Sequence, residues 1–67
     1  MLEFRVQDMT CNHCVGAITK AVKHVAPQAS VEIDLEHHLV RIQGEADQAI
    51  VQAAIVDAGY TPEPVGN

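Results

Sequence analysis

The stretch Leu2-Glu3-Phe4-Arg5-Val6-Gln7-Asp8-Met9-Thr10-Cys11-Asn12-His13-Cys14-Val15-Gly16-Ala17-Ile18-Thr19-Lys20-Ala21-Val22 changes its hydrophobic period halfway along. Leu2, Phe4 and Val6 alternate with Glu3, Arg5 and Gln7, the period of a strand with one buried face. From Val15 the apolar side chains return at helical spacing, through Ile18 and Val22 to Val25, with Ala17 and Ala21 adding small apolar surface. Between the two periods lies Met9-Thr10-Cys11-Asn12-His13-Cys14, which holds the only two cysteines of the chain. Two thiols separated by two residues can close on one soft metal ion or on each other. The chemistry of the chain is expected there.

The spacing predicts a helix from about Asn12 to Val25, stopped by Pro27, with Lys23 and His24 in a last turn that favours positive charge. Val31, Ile33 and Leu35 then alternate with Ser30, Glu32 and Asp34 as a second strand. Glu36-His37-His38 reads as a hairpin turn. Val40 and Ile42 point inward on a third strand, Arg41 and Gln43 outward, and Gly44 ends it. Asp47 is a candidate N-cap for a second helix that carries Ile50, Val51, Ala54, Ile55 and Ala58, with Gly59 at its C′ position. Thr61 to Val65 reads as a last short strand, which Pro62 and Pro64 confine to a sheet edge. The order β-α-β-β-α-β over residues 1–67 predicts a single α+β domain, a ferredoxin-like sandwich. Its four-stranded antiparallel sheet carries both helices on one face. Glu3, Arg5, Ser30, Glu32, Asp34, Arg41 and Gln43 then face water on the other. The same topology brings His37, His38 and Tyr60 to the end of the fold that holds the cysteines.

With 67 residues the chain is one domain near the lower size at which an apolar core suffices, and 48% hydrophobic residues exclude a disordered tail. The core must be aliphatic, since there is no Trp and only one Phe and one Tyr. Net charge is −5, and the basic residues are Arg5, Lys20, Lys23 and Arg41 alone. That excludes the basic footprint of a nucleic-acid binder and suits a protein partner with a basic face. No signal-like leader and no membrane-crossing apolar run is visible, so a cytoplasmic setting is expected. In a reducing compartment a close Cys pair reads as metal-binding or redox-active.

On the Met9-Thr10-Cys11-x-x-Cys14 run after a first strand, the length, the element order and the Asp57-Ala58-Gly59-Tyr60 ending, the chain resembles the heavy-metal-associated domain family, in particular small bacterial copper chaperones. The resemblance covers essentially the whole chain. It implies a non-enzymatic carrier that binds one Cu(I) through Cys11 and Cys14. The implied acceptor is the amino-terminal metal-binding domain of a copper-transporting P-type ATPase, so any membrane contact is through that partner. It also implies that Met9 is a core residue beneath the loop. Zinc-handling relatives tend to carry an acid at the place of Thr10, so its neutrality points to copper. Asp8 stands where the family commonly has glycine and reads as a solvated loop charge. The family also suggests Tyr60 as a lid beside the metal loop.

The residues support the metal reading independently. Cys14 falls in the first turn of the helix, where free N–H groups favour thiolate, and Cys11 in the loop before it. Two thiolates without a third strong ligand suit a two-coordinate soft ion, whereas Zn(II) usually takes four ligands. His13, His37, His38 and Tyr60 are auxiliary candidates: His13 as a neighbouring charge, His37 and His38 as supporting or dimer-bridging imidazoles. His24 reads as a surface residue. Lys20 and Lys23 are expected to orient the encounter with the acceptor. The chain is expected to be a monomer when apo, with a copper-bridged dimer as an open alternative. Three further readings stand beside this one. The chain is an excised ATPase metal-binding domain, a mercury- or zinc-binding homologue, or a dithiol redox protein, although the thioredoxin-like fold needs a longer chain. Met1 and the Val65-Gly66-Asn67 ending favour a stand-alone protein.

Overall fold

The computed structural model describes residues 2–65; Met1, Gly66 and Asn67, on which the stand-alone reading leans, lie outside them. The elements follow in the order β1 (Leu2–Val6), α1 (Asn12–Val25), β2 (Ser30–Asp34), β3 (Leu39–Gln43), α2 (Gln48–Asp57) and β4 (Pro62–Pro64). The strands form one antiparallel sheet in the order β2-β3-β1-β4. β1 is therefore central, with Phe4 opposite Val40 on one side and Pro64 on the other. This is the expected α+β sandwich of ferredoxin-like topology.

Phe4, Val6, Met9, Ile18, Val22, Val40, Ile42, Val51 and Ile55 are fully buried. They are the inward alternates of β1 and β3, one stripe from each helix, and the methionine under the thiol loop. On the outer face Arg41 of β3 pairs with a glutamate on each neighbouring strand, its Nε 3.1 Å from Glu3 and its Nη1 3.8 Å from Glu32.

Local signals end the helices. Asp47 Oδ1 accepts the amides of Ala49 and Ile50, and Gly59 takes φ +100° just past the C-cap Ala58. Gly44 takes φ +109°, which strains any side chain, and a Cβ there would also lie 3.3 Å from the Ala29 backbone, a tight contact, so the β3–α2 turn favours glycine. Lys23, expected to face a partner, instead donates from Nζ to the Ala29 carbonyl at 2.7 Å and closes the α1–β2 turn.

The predicted helix stripes need correction at two positions. Val25 is 38% exposed and Ile50 is 53% exposed. At the end of α1 the core is closed by Ala26 and Ala29 instead. In α2 the buried positions are Val51 and Ile55, one turn apart, and Ile50 lies about 100° around the helix from Val51. α2 is apolar nearly all round, so periodicity alone cannot choose which face turns inward. Two boundaries also differ. Leu35 belongs to the β2–β3 turn rather than to β2, and β4 is shorter than 61–65. As expected, the two prolines lie on an edge strand. Among the described residues no helix is long and apolar enough to cross a membrane.

Candidate metal centre

The switch from strand to helix puts both thiols at one place. Cys11 is the N-cap of α1 in extended conformation, with φ −153° and ψ 170°, and its side chain makes no cap bond. Its carbonyl instead accepts the amides of Cys14 at 3.0 Å and Val15 at 3.3 Å, which starts the helix and leaves the sulfur free. Cys14 lies in the first helical turn. Both cysteines are free; Cys11 is exposed and Cys14 half-buried. Their sulfurs are 3.5 Å apart.

The surroundings favour thiolate at Cys14. Its thiol is lowered from 9.0 to about 7, first by the Tyr60 hydroxyl, then by the Thr10 backbone and by the Cys11 thiol. The same contact acts on its other partner: Tyr60 is raised to about 12, chiefly because its hydroxyl donates to Cys14 and secondly because it is desolvated. Tyr60 is half-buried against the core, while Cys11 stays open to solvent.

Of the other candidates, Met9 is fully buried and its side chain belongs to the core. Among the described residues no third His, Cys, Asp or Glu joins the two sulfurs; the sole cluster of three such side chains is Asp34, Glu36 and His37 on the hairpin. His37 is held there, with Nδ1 2.8 Å from Asp34 Oδ2 and its amide donating to Asp34 Oδ1. His13 is exposed in the first turn of α1, in a shallow hollow with Asn12, Gly16, Ala17 and Lys20. His38 does reach the thiol loop: its Nδ1 lies 3.0 Å from the Met9 carbonyl.

Asp8 is exposed, as a solvated loop charge would be, and it also makes a contact that the sequence does not signal. Its Oδ1 accepts the Thr61 amide at 3.3 Å and ties the thiol loop to the segment that carries Tyr60. The two residues are 53 apart in sequence, and no local pattern signals their pairing.

The pair fits a soft ion with few ligands. At 3.5 Å the sulfurs are too close to lie on opposite sides of one ion, so they must part to hold it in a near-linear unit. The exposed, uncapped Cys11 is the side chain with freedom to do so.

Comparison with known proteins points the same way. The heavy-metal-associated domain family matches residues 3–61. Copper chaperone CopZ of Enterococcus hirae is 35% identical over 68 residues, covering 94% of this chain and 96% of that protein. The structure of copper chaperone Atx1 from Synechocystis PCC6803 superposes with a TM-score of 0.89 at 33% identity, covering 94% of this chain and 100% of that one. The copper chaperone for superoxide dismutase of Sus scrofa is 44% identical over 59 residues. The chain spans 21% of the length of that protein, and 7% of two copper-transporting ATPases of Rhizobium meliloti that it also matches.

Proposed function

Because the chain belongs to the heavy-metal-associated domain family, we propose that it is a Cu(I) chaperone, carrying one Cu(I) between the thiolates of Cys11 and Cys14. The observation that carries this reading is the bare pair. Two free sulfurs lie 3.5 Å apart at a helix N-terminus, one exposed and one tuned to ionise at about 7, with no third His, Cys, Asp or Glu beside them among the described residues. Such a site under-serves Zn(II), which takes four ligands in structural sites, and suits a soft ion content with two. The copper-handling relatives support the choice of metal.

Copper is the cargo, and its transfer is ligand exchange. A thiolate of the acceptor bonds to Cu(I), the bond to the exposed Cys11 breaks, and a second exchange releases Cys14. The ion stays Cu(I), and each departing sulfur leaves as thiolate or takes up a proton. The acceptor in this reading is the metal-binding domain of a copper-transporting P-type ATPase, and the match to such ATPases supports a common fold on both sides of the exchange. Lys20, exposed on α1 beside the thiol end, remains free to steer the encounter. The setting is a reducing cytoplasm, where the pair stays a dithiol.

Competition of Cu(I), Zn(II) and Hg(II) for the reduced protein tests the proposal. We expect Cu(I) to outcompete Zn(II) at one equivalent, and Cys11→Ser or Cys14→Ser to abolish tight binding. Tight Cu(I) binding by the double serine variant would sink the reading. A second reading, that the chain is the metal-binding part of a longer copper-handling protein, draws on its 21% and 7% shares of larger relatives. It keeps the same site.

A further inference from the structure

Two hydrogen bonds hold the base of the thiol loop from opposite sides, and both use side chains outside the thiol pair. On one side His38 Nδ1 lies 3.0 Å from the Met9 carbonyl. A carbonyl only accepts, so Nδ1 carries the proton. On the other side the Thr61 amide donates to Asp8 Oδ1 at 3.3 Å, next to Tyr60. Met9 itself is anchored between them by its fully buried side chain, with its amide donating to the Val6 carbonyl at 3.2 Å.

His38 adopts this position at a cost. Among the described residues it alone, apart from glycines, has positive φ, at 58°. A Cβ is strained there, and glycine or asparagine fits more easily. The backbone bonds of His38, accepting the Val6 amide at 2.8 Å and donating to the Leu35 carbonyl at 3.3 Å, are open to any residue. The imidazole is what glycine lacks, and its partner is the loop that leads to Cys11.

Resting on the Cu(I) reading above, we propose that His38 and Asp8 are positioning residues that clamp the base of the thiol loop. The clamp confines the opening of the sulfurs to residues 10–12. Cys11 then swings on a fixed base while Cys14 stays against Tyr60, and the two thiolates release copper in sequence rather than together. Without the clamp the whole segment moves and both bonds loosen at once.

The first test uses the metal-free protein. Backbone amide exchange is measured in the wild type and in His38→Gly, Asp8→Ala and Asp8→Asn. Loss of a hydrogen bond to a charged group should raise Thr61 exchange about tenfold in Asp8→Ala, whereas Asp8→Asn, which keeps an acceptor oxygen without the charge, should fall between that variant and the wild type. His38→Gly relieves the left-handed backbone, so the melting temperature should hold or rise while Met9 exchange accelerates. A purely structural role for the ring would instead lower the melting temperature and the protection together. The second test is release of bound Cu(I) to an excess of chelator, which should become about threefold or more faster in His38→Gly and Asp8→Ala and return partway in Asp8→Asn. Unchanged Met9 and Thr61 exchange, or unchanged release beside altered exchange, would overturn the proposal. If the wild type binds no Cu(I), the copper reading falls separately, and amide exchange still decides whether the clamp exists.

Discussion

At the scale of single residues, the contact between Tyr60 and Cys14 sets the acid–base behaviour of the site. The Cys14 thiol ionises at about 7, below its ordinary 9.0, so its thiolate favours the folded state. That contribution is complete above pH 9 and is lost as pH falls through 7. Removing the hydroxyl by Tyr60→Phe takes away the largest cause. The pH midpoint for alkylation of Cys14, followed by mass spectrometry in a Cys11→Ser background, should move up toward 9 from that of the Cys11→Ser parent. An unmoved midpoint would mean that the helix terminus and loop amides suffice. A second titration belongs to the hairpin. Asp34 raises His37 above its usual 6.5, and His37 lowers Asp34 below its usual 3.8. The His37 contribution is present below pH 6.5 and lost as pH rises through its raised value. The Asp34 contribution is present above pH 3.8 and lost as pH falls through its lowered value. The pair therefore works together between about 4 and 6.5. In an NMR titration Asp34→Asn should bring the His37 midpoint down, with the other histidines as internal controls. Both side chains are well exposed, so little global stability rides on the pair.

At the scale of elements, α1 and α2 begin differently, and the difference follows function. α2 has an aspartate cap whose Oδ1 receives two amides. Asp47→Ala should cost about 1 kcal/mol in a denaturant melt. α1 has a cysteine in that position whose sulfur makes no cap bond, and its carbonyl takes the Cys14 and Val15 amides instead. α1 also carries Gly16 on an exposed helical position, where an added Cβ meets nothing within 4 Å. Gly16→Ala should stabilise the apo protein by about 0.5–1 kcal/mol in the same melt. A stabilised variant with slower copper transfer would show that the gap beside His13 and Lys20 is kept for the approach of the partner. These signals span a few residues each, and so the Asp47 cap, the Gly59 stop and the span of α1 were legible in the chain. The face of α2 was not, because its apolar residues nearly encircle it.

At the scale of the whole molecule, a 67-residue domain is stable by roughly 3–10 kcal/mol at typical values per residue. One core deletion is then a large share of the total. Ile55 is fully buried and Ile50 is 53% exposed, five residues apart on the same helix. Ile55→Ala should cost about 2–4 kcal/mol and Ile50→Ala well under 1 kcal/mol. Equal losses in thermal unfolding would mean that α2 packs with a different face inward.

The order of elements, the antiparallel sandwich and the thiol pair at the entry to a helix follow from the sequence alone. Each rests on period, caps and spacing within a few residues, where the chain reports its own geometry. The tertiary structure decides how the metal end is assembled. Tyr60 at the Cys14 sulfur, Asp8 at the Thr61 amide and His38 at the Met9 carbonyl join residues far apart in the chain, the last two 53 and 29 positions apart. The topology places these segments at one end of the fold, and their pairing depends on side-chain reach once the sheet has closed. The outward turn of Val25 and Ile50 and the capture of Lys23 by Ala29 are settled in the same way. A local pattern states that a helix is apolar; only the packed core determines which apolar side chains it takes in.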